Sequence, residues 1–236
     1  MPSTPPAEHD RKGFAPWSPE DVLGPLNSFE AKHAPEALYL RGDLDLLRSG
    51  PKVAIVGSRK ASPDGLKRAR KLARGLVEHG VTIVSGLAEG IDTAAHTAAI
   101  EAGGRTIAVI GTPLDRYYPR KNAALQDKIA AEHLLVSQFA PGVETARFHF
   151  PMRNRTMALI SDASVIIEAG ESSGTKSQGW EALRMGRPLF LVRSVVENPS
   201  LSWPKKMVDY GAGVLRRTED LLGSLPFSQA TGELAF

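Results

Sequence analysis

The chain of 236 residues contains no cysteine, which excludes disulfide bonds, thiolate metal sites and a cysteine nucleophile. It has no apolar run as long as a membrane span and no signal-peptide core, so we expect a cytoplasmic protein without a membrane segment. Neither the G-x-G-x-x-G fingerprint nor the G-x-x-x-x-G-K-[ST] loop occurs. No His, Asp and Glu residues recur at metal-ligand spacing, so neither a metal nor a cofactor is predicted.

Positive charge is unevenly distributed along the chain. Residues 1–50 hold five Lys or Arg against eight Asp or Glu, whereas residues 51–236 hold 24 against 18. The larger part is therefore basic, which suits a polyanionic partner. Part of this charge lies on one face of a segment with helical periodicity, residues 62–79. We interpret that face as a solubilising surface, with DNA contact as the alternative.

Apolar runs rich in β-branched residues alternate with segments of helical periodicity from residue 38 onward. This alternation predicts an α/β fold with a doubly wound, mostly parallel sheet. Residues 1–37 are expected to form a Pro-rich tail and lead-in, because the first 25 residues hold six prolines and almost no periodicity. Residues 38–225 are expected to form one domain, followed by a loose C-terminal tail over residues 226–236.

The stretch Ser85–His96 is the strongest candidate for a ligand site. Gly86 and Gly90 allow the backbone to turn sharply and to approach a ligand closely. A helix is predicted from Ile91, and its free N–H groups and dipole favour an anion at that end. Taken alone, the stretch is also compatible with a plain tight turn.

Several turns follow predicted strands and would meet on one rim, because ligands of a doubly wound sheet bind beyond the carboxyl ends of its strands. The turns are Gly57-Ser58-Arg59, Ser85-Gly86, Gly111, Ser137 and Ser172–Lys176. The segment Pro151–Ile160 is predicted as a helix with two arginines in its first turn. The helix dipole disfavours cations there, and a bound anion would offset this misfit.

Five motifs stand in a specific order and spacing. They are Val56-Gly57-Ser58-Arg59; Ser85–Asp92 with His96; Thr106–Val109 with Tyr118-Pro119 and Asn122; Phe150–Arg155 with Ser161; and Ser173-Gly174-Thr175. The set resembles the DNA-processing protein A (DprA/Smf) family. The resemblance implies an extended Rossmann-like core without full accessory domains, and a non-enzymatic protein that binds single-stranded DNA. It also implies a homodimer that passes the strand to a RecA-type recombinase in natural transformation.

The resemblance further implies which residues contact DNA or phosphate. They are Gly57, Ser58, Arg59, Ser85, Gly86, Gly90, Arg153, Asn154, Arg155, Ser173, Gly174, Thr175 and Lys176. Arginine suits this role because its planar guanidinium pairs two phosphate oxygens at once. The glycine and serine positions would offer backbone N–H groups to the phosphate.

Aromatic side chains flank the predicted loops, and single-strand binders stack bases on such side chains. Tyr118 and Phe150 are the candidates for stacking, with ordinary packing as an equal alternative. His96 has no nucleophile beside it in the sequence and is interpreted as structural. Asp92 is expected to cap or orient the loop, so no catalytic residue is predicted.

Two other functions fit parts of the pattern. The LONELY GUY phosphoribohydrolases resemble this region through a Pro-Gly-Gly-x-Gly-Thr-x-x-Glu turn, which corresponds to Gly174-Thr175 here. Gln178 stands where their carboxylate is expected, and the two preceding glycines are missing, which disfavours hydrolysis. A sensor of a small nucleotide signal would use the same phosphate cradle as DNA, and the sequence does not distinguish the two.

Overall fold

A nine-stranded sheet organises residues 15–227, the part of the chain that the computed structural model describes. The strands are β1 (Pro16–Trp17), β2 (Leu38–Gly42), β3 (Lys52–Gly57), β4 (Thr82–Ser85), β5 (Thr106–Ile110), β6 (Leu134–Ser137), β7 (Ala163–Glu168), β8 (Leu189–Val192) and β9 (Gly213–Leu215). The helices are α1 (Pro19–Leu23), α2 (Ser28–His33), α3 (Pro63–Val77), α4 (Ile91–Glu101), α5 (Ala123–Glu132), α6 (His149–Ile160), α7 (Thr175–Arg184), α8 (Arg193–Val196), α9 (Trp203–Asp209) and α10 (Glu219–Leu222). Short 3-10 turns cover Leu44–Leu47 and Arg120–Asn122.

The strand order is β1-β2-β6-β5-β4-β3-β7-β8-β9, and all neighbours from β6 to β9 are parallel. The two antiparallel pairings, β1 with β2 and β2 with β6, lie at one edge. The chain builds outward from β3 in one direction through β6, and then returns to add β7, β8 and β9 on the other side of β3. Because right-handed crossovers then place α3 and α7 on opposite faces, the loops after β3 and β7 diverge and leave a crevice. The predicted α/β, doubly wound, mostly parallel sheet is confirmed.

Local sequence signals determine where α3, the helix that leads away from this crevice, begins. Ser62 caps α3, since its side chain accepts a hydrogen bond from the Gly65 amide at 3.0 Å, and Pro63 occupies the first helical position. Apolar residues at helical spacing, among them Leu72 and Leu76, are buried against the sheet and α4. The opposite face of α3 is basic and exposed.

The helices predicted over residues 62–79, from Ile91 and over Pro151–Ile160 are present as α3, α4 and α6, with the predicted ends shifted by at most two residues. Helix α8 and strand β9 were not predicted, because Arg193–Val196 and Gly213–Leu215 are too short to show a periodicity. All six residues of β3 and all four of β4 are buried, as expected for central parallel strands.

The lead-in differs from the expectation that residues up to 25 lack regular structure. Residues Pro16 and Trp17 pair with β2, and helices α1 and α2 follow before β2. Asn27 and Glu30 form a reciprocal capping box at α2. Elements this short carry no readable period, and a proline at the sheet edge is tolerated because no further strand needs its missing N–H. The expectations for residues 1–14 and 228–236 fall outside the described residues.

None of the helices between residues 15 and 227 has both the length and the apolar character needed to cross a bilayer.

Candidate functional site

A cavity of about 600 Å³ lies at the crevice between β3 and β7, where the direction of chain winding changes. It is lined by residues 56–60 at the end of β3, Ala88 after β4 with Asp92 of α4, part of α6, and residues 170–178 between β7 and the first turn of α7. A smaller cavity of about 60 Å³ adjoins it and reaches the loop after β5 at Gly111. The predicted meeting of loops on one rim therefore holds for these four strands. Ser137, the last residue of β6, lines neither cavity.

The loop after β3 places one free arginine at the mouth of both cavities. A Cβ at Gly57 would lie 2.5 Å from Ile91 Cγ1 and 2.9 Å from the Glu168 carbonyl oxygen, so only glycine fits there. The chain then turns outward and exposes Arg59, which forms no ion pair with any carboxylate of the described residues. Its guanidinium lies over the Phe150 ring, 5.4 Å from the centroid.

The loop after β4 is held by a buried carboxylate. Asp92 Oδ2 accepts hydrogen bonds from the Gly86 amide at 3.2 Å and the Ala88 amide at 3.4 Å. Burial raises the pKa of the Asp92 carboxyl, and the nearby Arg153 guanidinium opposes that rise. Asp92 therefore orients the loop, as the sequence predicts.

Ser85, Gly86 and Gly90 hold the loop after β4 in place, and they do not all offer hydrogen-bond donors to the cavity. Ser85 is buried, and its hydroxyl donates to the Ile55 carbonyl at 2.6 Å. The Gly86 amide is already bound by Asp92. At Gly90, where φ is 77°, a Cβ would lie 2.3 Å from the Ser58 carbonyl oxygen, so the loops after β3 and β4 touch there. The Gly86 amide, an expected phosphate donor, thus acts within the loop, and the Ser85 hydroxyl binds β3.

Arg153 is buried, with 6 % of its surface exposed, and it lines both cavities. Its Nη1 donates to the Gly86 carbonyl at 2.6 Å and to the Val109 carbonyl at 2.8 Å. A Cβ at Gly86 would lie 1.7 Å from that nitrogen, so the glycine makes room for the guanidinium. Burial lowers the pKa of Arg153, and Asp92 opposes the shift. The side chain ties the ends of β4 and β5 to α6.

Asn154 contributes a donor to the cavity. Its Oδ1 accepts from Arg153 Nε at 3.1 Å, which orients the amide group. No acceptor for its Nδ2 is present among residues 15–227, and Asn154 lines the larger cavity. The amide is therefore available to a ligand.

Two aromatic rings form one wall of the smaller cavity. The centroids of Tyr118 and Phe150 lie 5.3 Å apart, and Tyr118 is 47 % exposed. A Cβ at Gly111 would lie 2.7 Å from Phe150 Cδ1, so this glycine seats the Phe150 ring. The structure thus brings the predicted stacking pair beside Arg59.

The loop after β7 closes the other side of the larger cavity. Ser173 Oγ accepts from the Thr175 amide at 3.1 Å, and Thr175 Oγ1 donates to the Gly57 carbonyl at 3.1 Å. The Gly174 amide has no acceptor among the described residues, and it precedes the N-terminus of α7. A donor near a helix N-terminus favours an anion.

Two predicted contacts lie away from the cavity. Arg155 Nε pairs with the buried Glu181 at 3.0 Å on α7, because α6 turns this side chain to its other face. Lys176 donates to the Glu171 carbonyl and lines neither cavity. Helix α6 also begins at His149, so neither Arg153 nor Arg155 is in its first turn.

Other lining residues were not singled out from the sequence. Lys60 and Ser177 line the larger cavity, and Lys60 adjoins Arg59 in the chain, which was an available signal. Asn122 directly precedes α5, but its side chain does not cap that helix. Its Nδ2 instead donates to the Leu87 carbonyl at 2.9 Å and so holds the loop after β4.

The acidic groups at the site are all engaged. Asp92 binds two amides, and Glu89 accepts from Lys121 Nζ at 2.7 Å. Gln178 donates to the Ser164 hydroxyl at 3.2 Å. Between residues 15 and 227, no group of three His, Asp or Glu side chains is arranged to hold a metal ion.

His96 is fully buried, and desolvation lowers its pKa to about 3. Its Nδ1 lies 2.6 Å from Thr106 Oγ1, whose own hydroxyl donates to the Ile83 carbonyl at 2.8 Å. Thr106 Oγ1 therefore accepts from an Nδ1–H of His96. The ring is a neutral core group that does not line the cavities, as the structural interpretation predicts.

We expect this histidine to make the fold sensitive to acid. The unfolded chain protonates His96 near pH 6.5 and the folded chain near pH 3, so the unfolded state binds the extra proton between those values. The unfolding free energy should therefore fall by up to about 1.4 kcal/mol per pH unit on acidification through this window. Urea unfolding from pH 7 to pH 4 measures the slope. His96→Asn, which keeps a donor for Thr106, should lose that part of the slope, and equal slopes would contradict the assignment.

The sequence profile of the family described as DNA recombination-mediator protein A matches residues 19–226. DNA processing protein DprA of Streptococcus pneumoniae is 41 % identical over 214 residues, which are 91 % of this chain and 75 % of that protein. DprA of Bacillus subtilis is 37 % identical over 192 residues, or 81 % of this chain and 65 % of that protein. The chain thus spans two thirds to three quarters of these relatives.

Solved structures agree with the sequence relatives. The X-ray structure of the pneumococcal protein matches with a TM-score of 0.80 and 39 % identity, covering 91 % of this chain and 75 % of that one. DNA processing protein A of Helicobacter pylori, studied for its single-stranded DNA binding mode, matches with a TM-score of 0.71 and 30 % identity, covering 80 % of this chain and 86 % of that one. The profile match and these identities, over most of the chain, establish the relationship that the five motifs indicate. The chain belongs to the DNA recombination-mediator protein A family, the DprA/Smf family.

Proposed function

We propose that the chain binds single-stranded DNA at the crevice between β3 and β7, as a mediator of recombination and of DNA uptake. The observation that carries the proposal is the unpaired Arg59 over the Phe150 ring, at the mouth of a cavity lined by backbone and amide donors. A cation for phosphate beside an exposed tyrosine and a half-buried phenylalanine, Tyr118 and Phe150, is a combination that suits single-strand binding, since bases stack on such rings.

The wider role follows from family membership. The family description names a recombination mediator, and the Helicobacter pylori relative is described as binding single-stranded DNA. We propose that this chain likewise protects the strand and delivers it to a RecA-type recombinase, acting as a homodimer. The state of Asp92 supports a binding role over a hydrolytic one, because this buried carboxylate is committed to the Gly86 and Ala88 amides that it holds.

The test compares a labelled oligo-dT strand with a duplex of equal length by fluorescence anisotropy over a salt series. We expect tighter binding of the single strand, with a log–log salt slope of about −0.7 for each phosphate contacted. Equal or tighter binding of the duplex would contradict the base-stacking role, and no binding at low salt would overturn the proposal.

A second candidate function is binding of a small nucleotide signal. A cavity of about 600 Å³ is in the range that holds such ligands. Thermal stabilisation by mononucleotides but not by oligonucleotides would favour this function over DNA binding.

A further inference from the structure

A second cleft, of about 620 Å³, lies on the same carboxyl edge of the sheet, one step beyond the candidate site. Its floor includes Ile167, Val192 and Leu215, at the ends of β7, β8 and β9. One wall is α3 and the other is the segment that leads into α10. We call it the basic cleft, because five cationic side chains line it: Arg68, Lys71, Arg193, Arg216 and Arg217.

The positive charge of the basic cleft is largely uncompensated. Two carboxylates, Glu197 and Glu219, also line it. Glu197 Oε1 lies 2.6 Å from Arg193 Nε. Arg217 has Asp220 at 3.6 Å. The three remaining cations are exposed and form no ion pair within residues 15–227; they are Arg68, Lys71 and Arg216. Cations that no internal partner neutralises are available to an external anion.

The shape of the basic cleft favours a long anion over a compact one. A neighbouring concavity of about 530 Å³ shares Lys71, Thr218 and Glu219 with it and adds Lys67 and Arg70. The cations follow α3 for about two turns, which is about 10 Å at 1.5 Å per residue. A small phosphate compound needs donors that converge on one point, whereas these donors are spread along a groove.

The groove continues the candidate site. The Ser62 amide, just before α3, donates to Glu168 Oε1 at 2.9 Å, and Glu168 follows Ile167 of the cleft floor. Arg59 and Lys60 stand immediately before this contact on the side of the candidate site. A strand that leaves Arg59 past Ser62 therefore arrives at the exposed face of α3.

We propose that the basic cleft binds the phosphate backbone of the same DNA strand beyond the candidate site. The inference rests on the proposed function, and it assigns a nucleic-acid contact to the helix face that the sequence suggested as a solubilising surface. The lining of the cleft contains no Phe, Tyr or Trp. Its contacts are therefore electrostatic, independent of base sequence and sensitive to salt.

The test uses two strands, of about 6 and about 30 nucleotides, which lie near the lower limit and well above the upper limit of the roughly 4–16 nucleotides that one OB-fold domain of other single-strand binders covers. The cleft variant is Arg68→Gln/Lys71→Gln/Arg216→Gln. The matched control, Lys32→Gln/Lys128→Gln/Lys205→Gln, removes the same charge from exposed positions on α2, α5 and α9. Glutamine keeps a good helix propensity, and equal melting temperatures check that both variants fold.

We expect the cleft variant to bind the long strand about tenfold more weakly than the control. The slope of the logarithm of its binding constant against the logarithm of salt concentration should become less steep by about 2. The short strand, which occupies the candidate site alone, should bind both variants within about twofold. Long-strand affinities that match the control would overturn the inference while leaving the proposed function in place. Equal losses on both strands would also overturn it, since they would place the effect at the candidate site. Failure of the unsubstituted chain to bind either strand would instead reject the proposed function, and the inference with it.

Discussion

Arg59→Ala is expected to weaken binding of single-stranded DNA by about 10- to 100-fold, without lowering the melting temperature of the protein. A hydrogen bond between a charged donor and a phosphate contributes about 1.5–3 kcal/mol, which sets this range. The substitution costs the fold little, because Arg59 is exposed and forms no ion pair within the described residues. Its contact is the face of Phe150, which an exposed cation stabilises only modestly.

The matched control for this experiment is Lys176→Ala. The sequence places Lys176 beside Ser173, Gly174 and Thr175 as a phosphate contact, whereas the structure turns its ammonium to the Glu171 carbonyl. We therefore expect less than about a threefold loss, from the long-range effect of one charge. Titrations at two salt concentrations measure both variants. Equal losses of DNA affinity for Arg59→Ala and Lys176→Ala would contradict the site geometry, because they would show that only the net charge of the protein affects binding.

The difference between these two residues shows what the sequence predicts well. Strand ends are predictable, because buried β-branched runs such as Lys52–Gly57 stop at Gly and Ser, and parallel strands share a carboxyl edge. The position of Arg59 follows from that edge. The sequence alone thus indicates the fold and the location of the candidate site.

The direction of each side chain is less predictable, because it depends on packing between distant segments. Arg153 and Arg155 differ by two positions on α6 and so face different sides of the helix. One donates to carbonyls of β5 and the loop after β4, and the other pairs with α7. The motif alone gave both the same role, and only the neighbours of α6 in space separate them.

Glycines of the site illustrate the same limit. The sequence assigns Gly86 and Gly111 to turns, yet the structure shows that each makes room for a side chain of α6. A Cβ would meet Arg153 at the first position and Phe150 at the second. Since α6 follows more than 35 residues after Gly111, no local pattern reveals the contact. Side chains of α6, Arg153 and Phe150, thus fill the space beside these two glycines and form one side of the candidate site.

Arg153→Met is expected to lower the free energy of unfolding by about 3–5 kcal/mol, the largest stability effect at the site. The change leaves Asp92 as a buried charge without its cationic neighbour, and it removes the donor shared by the Gly86 and Val109 carbonyls. Adding Asp92→Asn removes the isolated charge and keeps an acceptor oxygen for the Gly86 amide. The double variant should therefore be destabilised by about 1–3 kcal/mol less than the sum of the single variants.

Urea unfolding of the two single variants and the double variant measures this coupling, and Arg155→Met serves as the control on the same helix. The Arg155 side chain is 43 % exposed, and Glu181 keeps Arg184 at 2.9 Å, so the control should lose less than about 1 kcal/mol. A loss for Arg153→Met no greater than that of the control would show that the buried guanidinium does not hold the site together. If the effects of Arg153→Met and Asp92→Asn on the unfolding free energy simply add, the two side chains do not interact, and the expected coupling would be refuted. The expected coupling would instead show that Asp92 and Arg153 act together to hold the loop after β4 against β5 and α6, next to the candidate site.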